Sequence, residues 1–108
     1  MTVASRLLQY AQNGKLKFPE LSSRIDRAAG IVRRGGYVRV SDTTWLIPSS
    51  EGTIGYVVND SCTCPDFTGI DPRSGDVARP GNRAPRGWCK HRLAMLMLVK
   101  LISDTEAA

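Results

Sequence analysis

The sequence is short of long apolar runs. The longest, Leu93 to Val99, is far below the roughly 18 residues that a membrane-spanning helix needs, and a buried helix is the expected structure there. No apolar signal peptide precedes the cysteines, so we expect reduced thiols, a cytoplasmic location and no membrane partner. A chain of 108 residues suits one modest core, and we expect a single domain spanning 1–108.

The usual catalytic groupings are also missing. The chain has 1 histidine and no glycine-rich phosphate loop, and its carboxylates are scattered without a paired pattern. Acid–base, nucleophilic and phosphoryl-transfer chemistry all need such groupings. We therefore expect that the chain is not an enzyme by itself and has no small-molecule substrate.

The scarce cysteines and the histidine all lie in two short segments. The 3 cysteines and 1 histidine occur as Cys62-Thr63-Cys64 and Cys89-Lys90-His91. Three thiolates and one imidazole are a complete ligand set for a closed tetrahedral zinc site. Residues two apart on a strand point to the same side, so both sulfurs of the first pair can reach one ion. The sequence predicts one structural Zn²⁺ held by Cys62, Cys64, Cys89 and His91.

Other interpretations of these residues stay open. A disulfide framework would leave one of the 3 cysteines over. A catalytic pair of Cys89 and His91 would leave Cys62 and Cys64 without a role, and unrelated core cysteines are a further possibility. A redox or zinc-sensing switch through the thiolates is another functional hypothesis.

The arrangement Cys-x-Cys, spacer, Cys-x-His resembles the SWIM zinc finger. Pro65-Asp66-Phe67 after the second cysteine, Lys90 between the last two ligands and Ala94 behind them also look like that family. The resemblance covers about 53–101 and implies a first ligand pair at the end of a β-hairpin and a second at the start of a helix. SWIM-like modules are found in transposase-related, chromatin-remodelling and recombination-accessory proteins, so it also implies contact with DNA or protein. The long spacer, rich in Pro, Gly and Arg, departs from the family pattern.

Apolar periodicity predicts three helices. The first spans 3–13 and ends at Gly14, and the second spans 20–34. The third spans 88–103 and is apolar all round over 93–99, so it should be central and covered on several sides. The faces expected to pack in the core are Val3, Leu7, Leu8 and Ala11 in the first helix, and Leu21, Ile25, Ala28, Ala29 and Val32 in the second.

Alternating patterns predict three short strands in an antiparallel meander, at 37–41, 44–47 and 53–59. Val38 and Val40 should share one side of the first strand, and Ile54, Tyr56 and Val58 one face of the third. The segment 68–87 has no periodicity and predicts a flexible loop rich in Arg, Pro and Gly. The fold class expected is α+β, with the zinc site joining the end of the sheet to a buried C-terminal helix.

The charge of the chain favours a polyanionic partner. Its formal net charge is +5 and its pI about 9.5, which is typical of many nucleic-acid-binding domains and also of small basic domains with no such partner. Trp45, Tyr37 and Tyr56 could stack on bases. The alternatives to a nucleic-acid surface are a solvated helix face and a disordered loop. The candidate contacts are Arg24, Arg27, Arg33, Arg34, Arg73, Arg79, Arg83, Arg86, Lys90 and Arg92.

The function expected is therefore that of a non-catalytic accessory factor that binds nucleic acid through phosphate contacts. DNA is favoured over RNA, with weak sequence preference. A protein–protein adaptor subunit of a larger assembly is the alternative. Binding that weakens steeply with salt would distinguish the first from the second.

Overall fold

The computed structural model describes residues 2–49, 55–64 and 87–107. Within these residues the helices are α1 (Val3–Lys17), α2 (Ser22–Arg34) and α3 (Lys90–Ala107), and a 3-10 turn at Pro19–Leu21 joins α1 to α2. The strands are β1 (Val38–Arg39), β2 (Trp45–Pro48) and β3 (Gly55–Val58). The α+β class and the order of the elements are as expected. The expected loop, apart from Gly87, lies outside the described residues, and so does Ile54.

Helix α1 continues past the stop predicted at Gly14. A Cβ atom at this position would lie 3.2 Å from the Cδ1 atom of Ile25, so the glycine serves close packing of α1 on α2. The helix ends where proline follows Phe18, because a residue before proline is driven out of the helical region. Phe18 has φ −133°, while its N–H still donates to the Gly14 carbonyl at 2.8 Å.

The buried strip of α1 is narrower than predicted. Leu7 and Ala11 are buried, but Val3 and Leu8 are 60% and 56% exposed, so their assignment to the core was wrong. This helix packs mainly against α2 and touches α3 less. A helix with one principal neighbour buries only a narrow row of residues spaced four apart, such as Leu7 and Ala11.

Helix α2 matches its prediction along the whole apolar face. All five predicted residues are buried, with Leu21 in the 3-10 turn just before the helix, and Ile31 joins them. The broad buried face follows from the position of α2, which makes its most extensive contact with α3. Gly35, with φ 81°, ends the helix.

Helix α3 packs against several neighbours, as predicted, and leaves one side exposed. It buries Leu93, Ala94, Met97 and Leu98 against α2 and the sheet, but Leu96 and Val99 are 44% and 42% exposed. The expectation of a helix covered on several sides is confirmed, since α3 contacts α2, α1, β2 and β3, and in the described part of the chain one side of it stays exposed. The helix also extends beyond residue 103, to Ala107. No helix among the described residues is long and apolar enough to cross a membrane.

The sheet is antiparallel in the order β1-β2-β3. Trp45, Ile47 and Val58 point inward and are buried. Val38 and Val40 are 55% and 65% exposed, so the apolar pair predicted for this strand lies on the solvent face. The register explains this, because Val38 pairs with Leu46, and Leu46 alternates with the inward Trp45 and Ile47.

Candidate metal centre

A tight turn after β3 presents the first ligand pair. The Asn59 side chain accepts a hydrogen bond from the Ser61 N–H at 2.9 Å, and the Asn59 N–H donates to the Ser61 carbonyl at 2.9 Å. Asparagine favours such turns because its side chain can bond the backbone two residues on. The turn reverses the chain so that Cys62 forms a bridge with Val58.

The returning segment is fastened to β3 through Thr63. The Val57 N–H donates to the Thr63 hydroxyl at 3.1 Å, and the Thr63 N–H donates to the Val57 carbonyl at 3.3 Å. Residues on either side of Thr63 point the other way in an extended segment. Cys62 and Cys64 therefore share a direction, and both are buried.

Helix α3 presents the second pair at its N-terminus. Cys89 directly precedes the helix, and its Sγ atom accepts a hydrogen bond from the Arg92 N–H at 3.5 Å. Its carbonyl accepts from the Leu93 N–H at 3.1 Å. Cys89 thus occupies the N-cap position, where free amides and the helix dipole favour a thiolate. His91 follows within the first turn.

The four side chains meet in one buried cluster. Their potential ligand atoms all lie within 4.8 Å of one another, and no member is more than 2% exposed. In a tetrahedral zinc site with bonds of about 2.0–2.3 Å the ligand atoms are roughly 3.3–3.8 Å apart. The cluster could close on one ion with shifts of about 1 Å. The quartet singled out in the sequence is therefore able to hold one metal ion.

The histidine supports a metal on independent grounds. Both ring nitrogens of His91 are buried, and neither has a hydrogen-bond partner among the described residues. Core histidines are normally hydrogen-bonded, and an unsatisfied buried polar group costs about 1–3 kcal/mol. The ring packs against Tyr56, with centroids 4.7 Å apart. A metal ion at one nitrogen would give this buried polar atom the partner it lacks.

The thiols are electrostatically unequal. The pKa of Cys89 lies far below its ordinary value, because its sulfur accepts hydrogen bonds from the side chains of Cys62 and Cys64. The pKa of Cys62 lies far above its ordinary value, because of its hydrogen bonds to Cys64 and Cys89 and its burial. Thiols bind a metal ion as thiolates, so any protons on these sulfurs are released when the ion binds.

The Arg92 side chain links the two ligand segments. Its Nε atom donates to the Asn59 carbonyl at 3.3 Å, and its Nη1 atom donates to the Gly87 carbonyl at 2.8 Å. The guanidinium carbon lies 4.2 Å from the centroid of the Trp88 ring. The sequence predicts Arg92 as a nucleic-acid contact and does not predict this internal role. Its only sequence signal is its place directly after the last ligand.

Five of the other predicted nucleic-acid contacts lie among the described residues, on α2 and at the start of α3. On α2, Arg27, Arg33 and Arg34 are exposed and Arg24 is half-buried; Lys90, at the start of α3, is also half-buried. The residues Arg73, Arg79, Arg83 and Arg86 lie outside the described part of the chain.

The aromatic residues predicted to stack on bases are differently placed. Trp45 is only 4% exposed, and its ring lies 5.8 Å from that of Tyr37. It faces the core, so the expectation that it could stack on a base was wrong. Tyr56 is half-buried against His91.

Comparisons with protein-family models, with curated proteins and with solved structures found no match to this chain. The resemblance to the SWIM finger therefore stays a prediction. The assignment of a metal-binding cluster rests on the geometry of the four side chains.

Proposed function

We propose that the chain is a structural-zinc module that binds nucleic acid, with DNA preferred, as a non-catalytic accessory factor. The buried Cys62, Cys64, Cys89 and His91 cluster carries the zinc part. Thiolates with imidazole in a four-ligand set are the donors that zinc prefers in structural sites. Four protein ligands leave no open position for a reacting water.

Zinc would fasten the turn after β3 to the start of α3. These segments are distant in sequence, and the described contacts between α3 and the strands are few compared with those between α3 and α2. A metal bound by both pairs would supply the missing connection, and its binding free energy would add to folding.

The distribution of positive charge supports a polyanionic partner. The chain has a formal net charge of +5, and α2 exposes Arg27, Arg33 and Arg34. The acidic residue of that helix, Asp26, is paired with the Lys15 ammonium at 2.9 Å. Guanidinium groups suit phosphate oxygens because they can donate two parallel hydrogen bonds.

The test is fluorescence anisotropy of the zinc-loaded protein on labelled DNA across a range of salt concentrations. Four to six phosphate contacts predict a slope of log affinity against log salt of roughly −4 to −5. Replacing Arg27 and Arg33 together by Ala should make the slope shallower by about 2. The control is Arg39→Ala, an exposed arginine on β1 whose guanidinium lies 3.3 Å from Asp42. Absence of binding at low salt would reject the nucleic-acid proposal.

One observation favours the adaptor alternative. Val38, Leu46 and Val57 are neighbours across the three strands and are 55%, 39% and 45% exposed. A contiguous apolar row on the open face of a sheet is typical of a protein-docking surface. An adaptor would hold its partner at high salt and lose it on Leu46→Glu, a change that should leave DNA binding intact.

A further inference from the structure

A cleft of about 250 Å³ lies between α1, α2 and α3. Leu21, Ile25, Leu93 and Met97 contribute aliphatic side chains to its lining, and Trp88 joins them from the segment just before the metal ligand Cys89. A cavity of about 150 Å³ admits benzene, whereas drug-sized ligands occupy roughly 300–1,000 Å³. The volume therefore suits one flat ring system of the size of a nucleobase.

The lining combines flat rings with one amide. Tyr10, Phe18 and Trp88 contribute aromatic side chains, and Asn13 contributes a group that can both donate and accept. Phe18 is 39% exposed, so its ring is accessible from outside. Proteins recognise unstacked bases by stacking on aromatic rings and by hydrogen bonds to the base edge. Both kinds of group are present in this cleft.

The charges around the cleft favour an anionic ligand. Lys17 from the last turn of α1 and Lys100 from α3 line it, and none of its described lining residues is acidic. The Lys100 ammonium lies 5.3 Å from the centroid of the Tyr10 ring. The nearby carboxylate of Asp104 accepts a hydrogen bond from the Tyr10 hydroxyl and lies 3.9 Å from the Arg6 guanidinium. Its negative charge is thus partly compensated.

The described lining of a second surface depression lacks the charged side chains that line the cleft. It is lined by Val3, Tyr37, Trp45 and Leu98, among others, and its described lining residues carry no charge. Nothing there selects an anion.

We propose that the cleft receives one unstacked base of a single-stranded nucleic acid, with Lys17 and Lys100 contacting the flanking phosphates. This inference rests on the proposed nucleic-acid binding and specifies its substrate class. A paired base in a duplex is stacked between its neighbours and is not available to a cleft without flipping. Single strands should therefore bind more tightly than duplex of the same length.

The experiment compares labelled oligothymidylate of eight nucleotides, the corresponding duplex and an abasic oligomer of equal length, by anisotropy with the zinc-loaded full chain. The single strand should bind at least about 10-fold more tightly than the abasic oligomer, as expected for one stacked base. Phe18→Ala should lower single-strand affinity by about 10-fold and leave duplex affinity unchanged. Leu16→Ala, at a residue that is 83% exposed and outside the cleft lining, is its control.

Lys100→Ala should weaken single-strand binding more than Arg39→Ala, which removes one positive charge outside the cleft lining. Zinc content and circular dichroism check that each variant is folded. Equal binding of the single strand and the abasic oligomer, with no effect of Phe18→Ala, would reject base binding in the cleft. The proposal of nucleic-acid binding would be unaffected. Binding of octanoate that Phe18→Ala weakens, together with equal binding of the single strand and the abasic oligomer, would indicate a site for small amphiphilic anions and would also overturn the cleft inference. Failure of every oligomer to bind at low salt would reject both proposals.

Discussion

Replacement of Arg92 by lysine tests how the metal site is built. The guanidinium donates to the carbonyl groups of Asn59 and Gly87 and lies over the Trp88 ring. Lysine keeps the positive charge but cannot donate to both carbonyls from one rigid plane, nor stack as a planar group. The two ligand segments would lose their direct side-chain link while the four metal ligands stay in place.

The magnitude follows from these contacts. A hydrogen bond to a charged group contributes about 1.5–3 kcal/mol, and a cation over an aromatic ring about 0.5–1 kcal/mol at exposed sites. Lysine should recover part of this, leaving a loss of about 2–3 kcal/mol. With about 1.4 kcal/mol for each factor of 10, zinc affinity should fall about 30- to 140-fold. Loss of a group that orients metal ligands typically has an effect of this size.

The assay is competition for zinc against a chromophoric chelator, with the absorption spectrum of the Co²⁺ form as a report on ligand geometry. Arg92→Lys should keep a tetrahedral thiolate spectrum while the affinity falls. Arg33→Lys, an exposed position on α2, is the control and should bind zinc like the parent. If Arg92→Lys binds zinc within about threefold of the parent, the link between the segments is not important for the site and the reasoning is refuted.

Two further changes test the metal site and the fold. Cys64→Ser, or treatment of the parent with a strong chelator, should lower the thermal midpoint and abolish cooperative melting of the C-terminal half, because metal binding is coupled to folding; identical melts with and without chelator would contradict a structural zinc. Gly35→Ala should destabilise the protein in urea unfolding by about 1–3 kcal/mol, because Gly35 has φ 81° and ψ −159°, a region essentially restricted to glycine. Gly30→Ala is the matched control and should have the opposite effect. Nothing lies within 4 Å of its added Cβ atom, and alanine in a helix interior should stabilise the protein by about 0.5–1 kcal/mol. Equal effects of the two changes would argue against backbone strain as the cause at Gly35.

The sequence predicted the candidate site well because its ligands are rare in this chain. With 3 cysteines and 1 histidine confined to two segments, the choice of residues hardly depended on the fold. The apolar face of α2 was also predictable, since a helix that contacts several elements buries a wide face whose periodicity is visible in the sequence.

The features that sequence reasoning missed depend on partners distant along the chain. Gly14 looked like a helix stop, but its role is set by the Ile25 side chain of the next helix. The alternation at Val38 and Val40 placed them on one face without saying which face is inward, and the pairing with β2 decides that. Arg92 donates to the carbonyl of Asn59, which is distant in the sequence, and no local sequence pattern indicates this contact.

The position of the ligands has a consequence for how this protein could change in length. The cluster brings residues 64 and 89 to within bonding reach of one ion, so the chain between them begins and ends at nearly the same point. The entropy of closing a flexible loop grows slowly with its length, by only about 0.6 kcal/mol for each doubling. An unstructured insertion between the two ligand pairs would therefore add little closure cost, provided that both pairs stay in place.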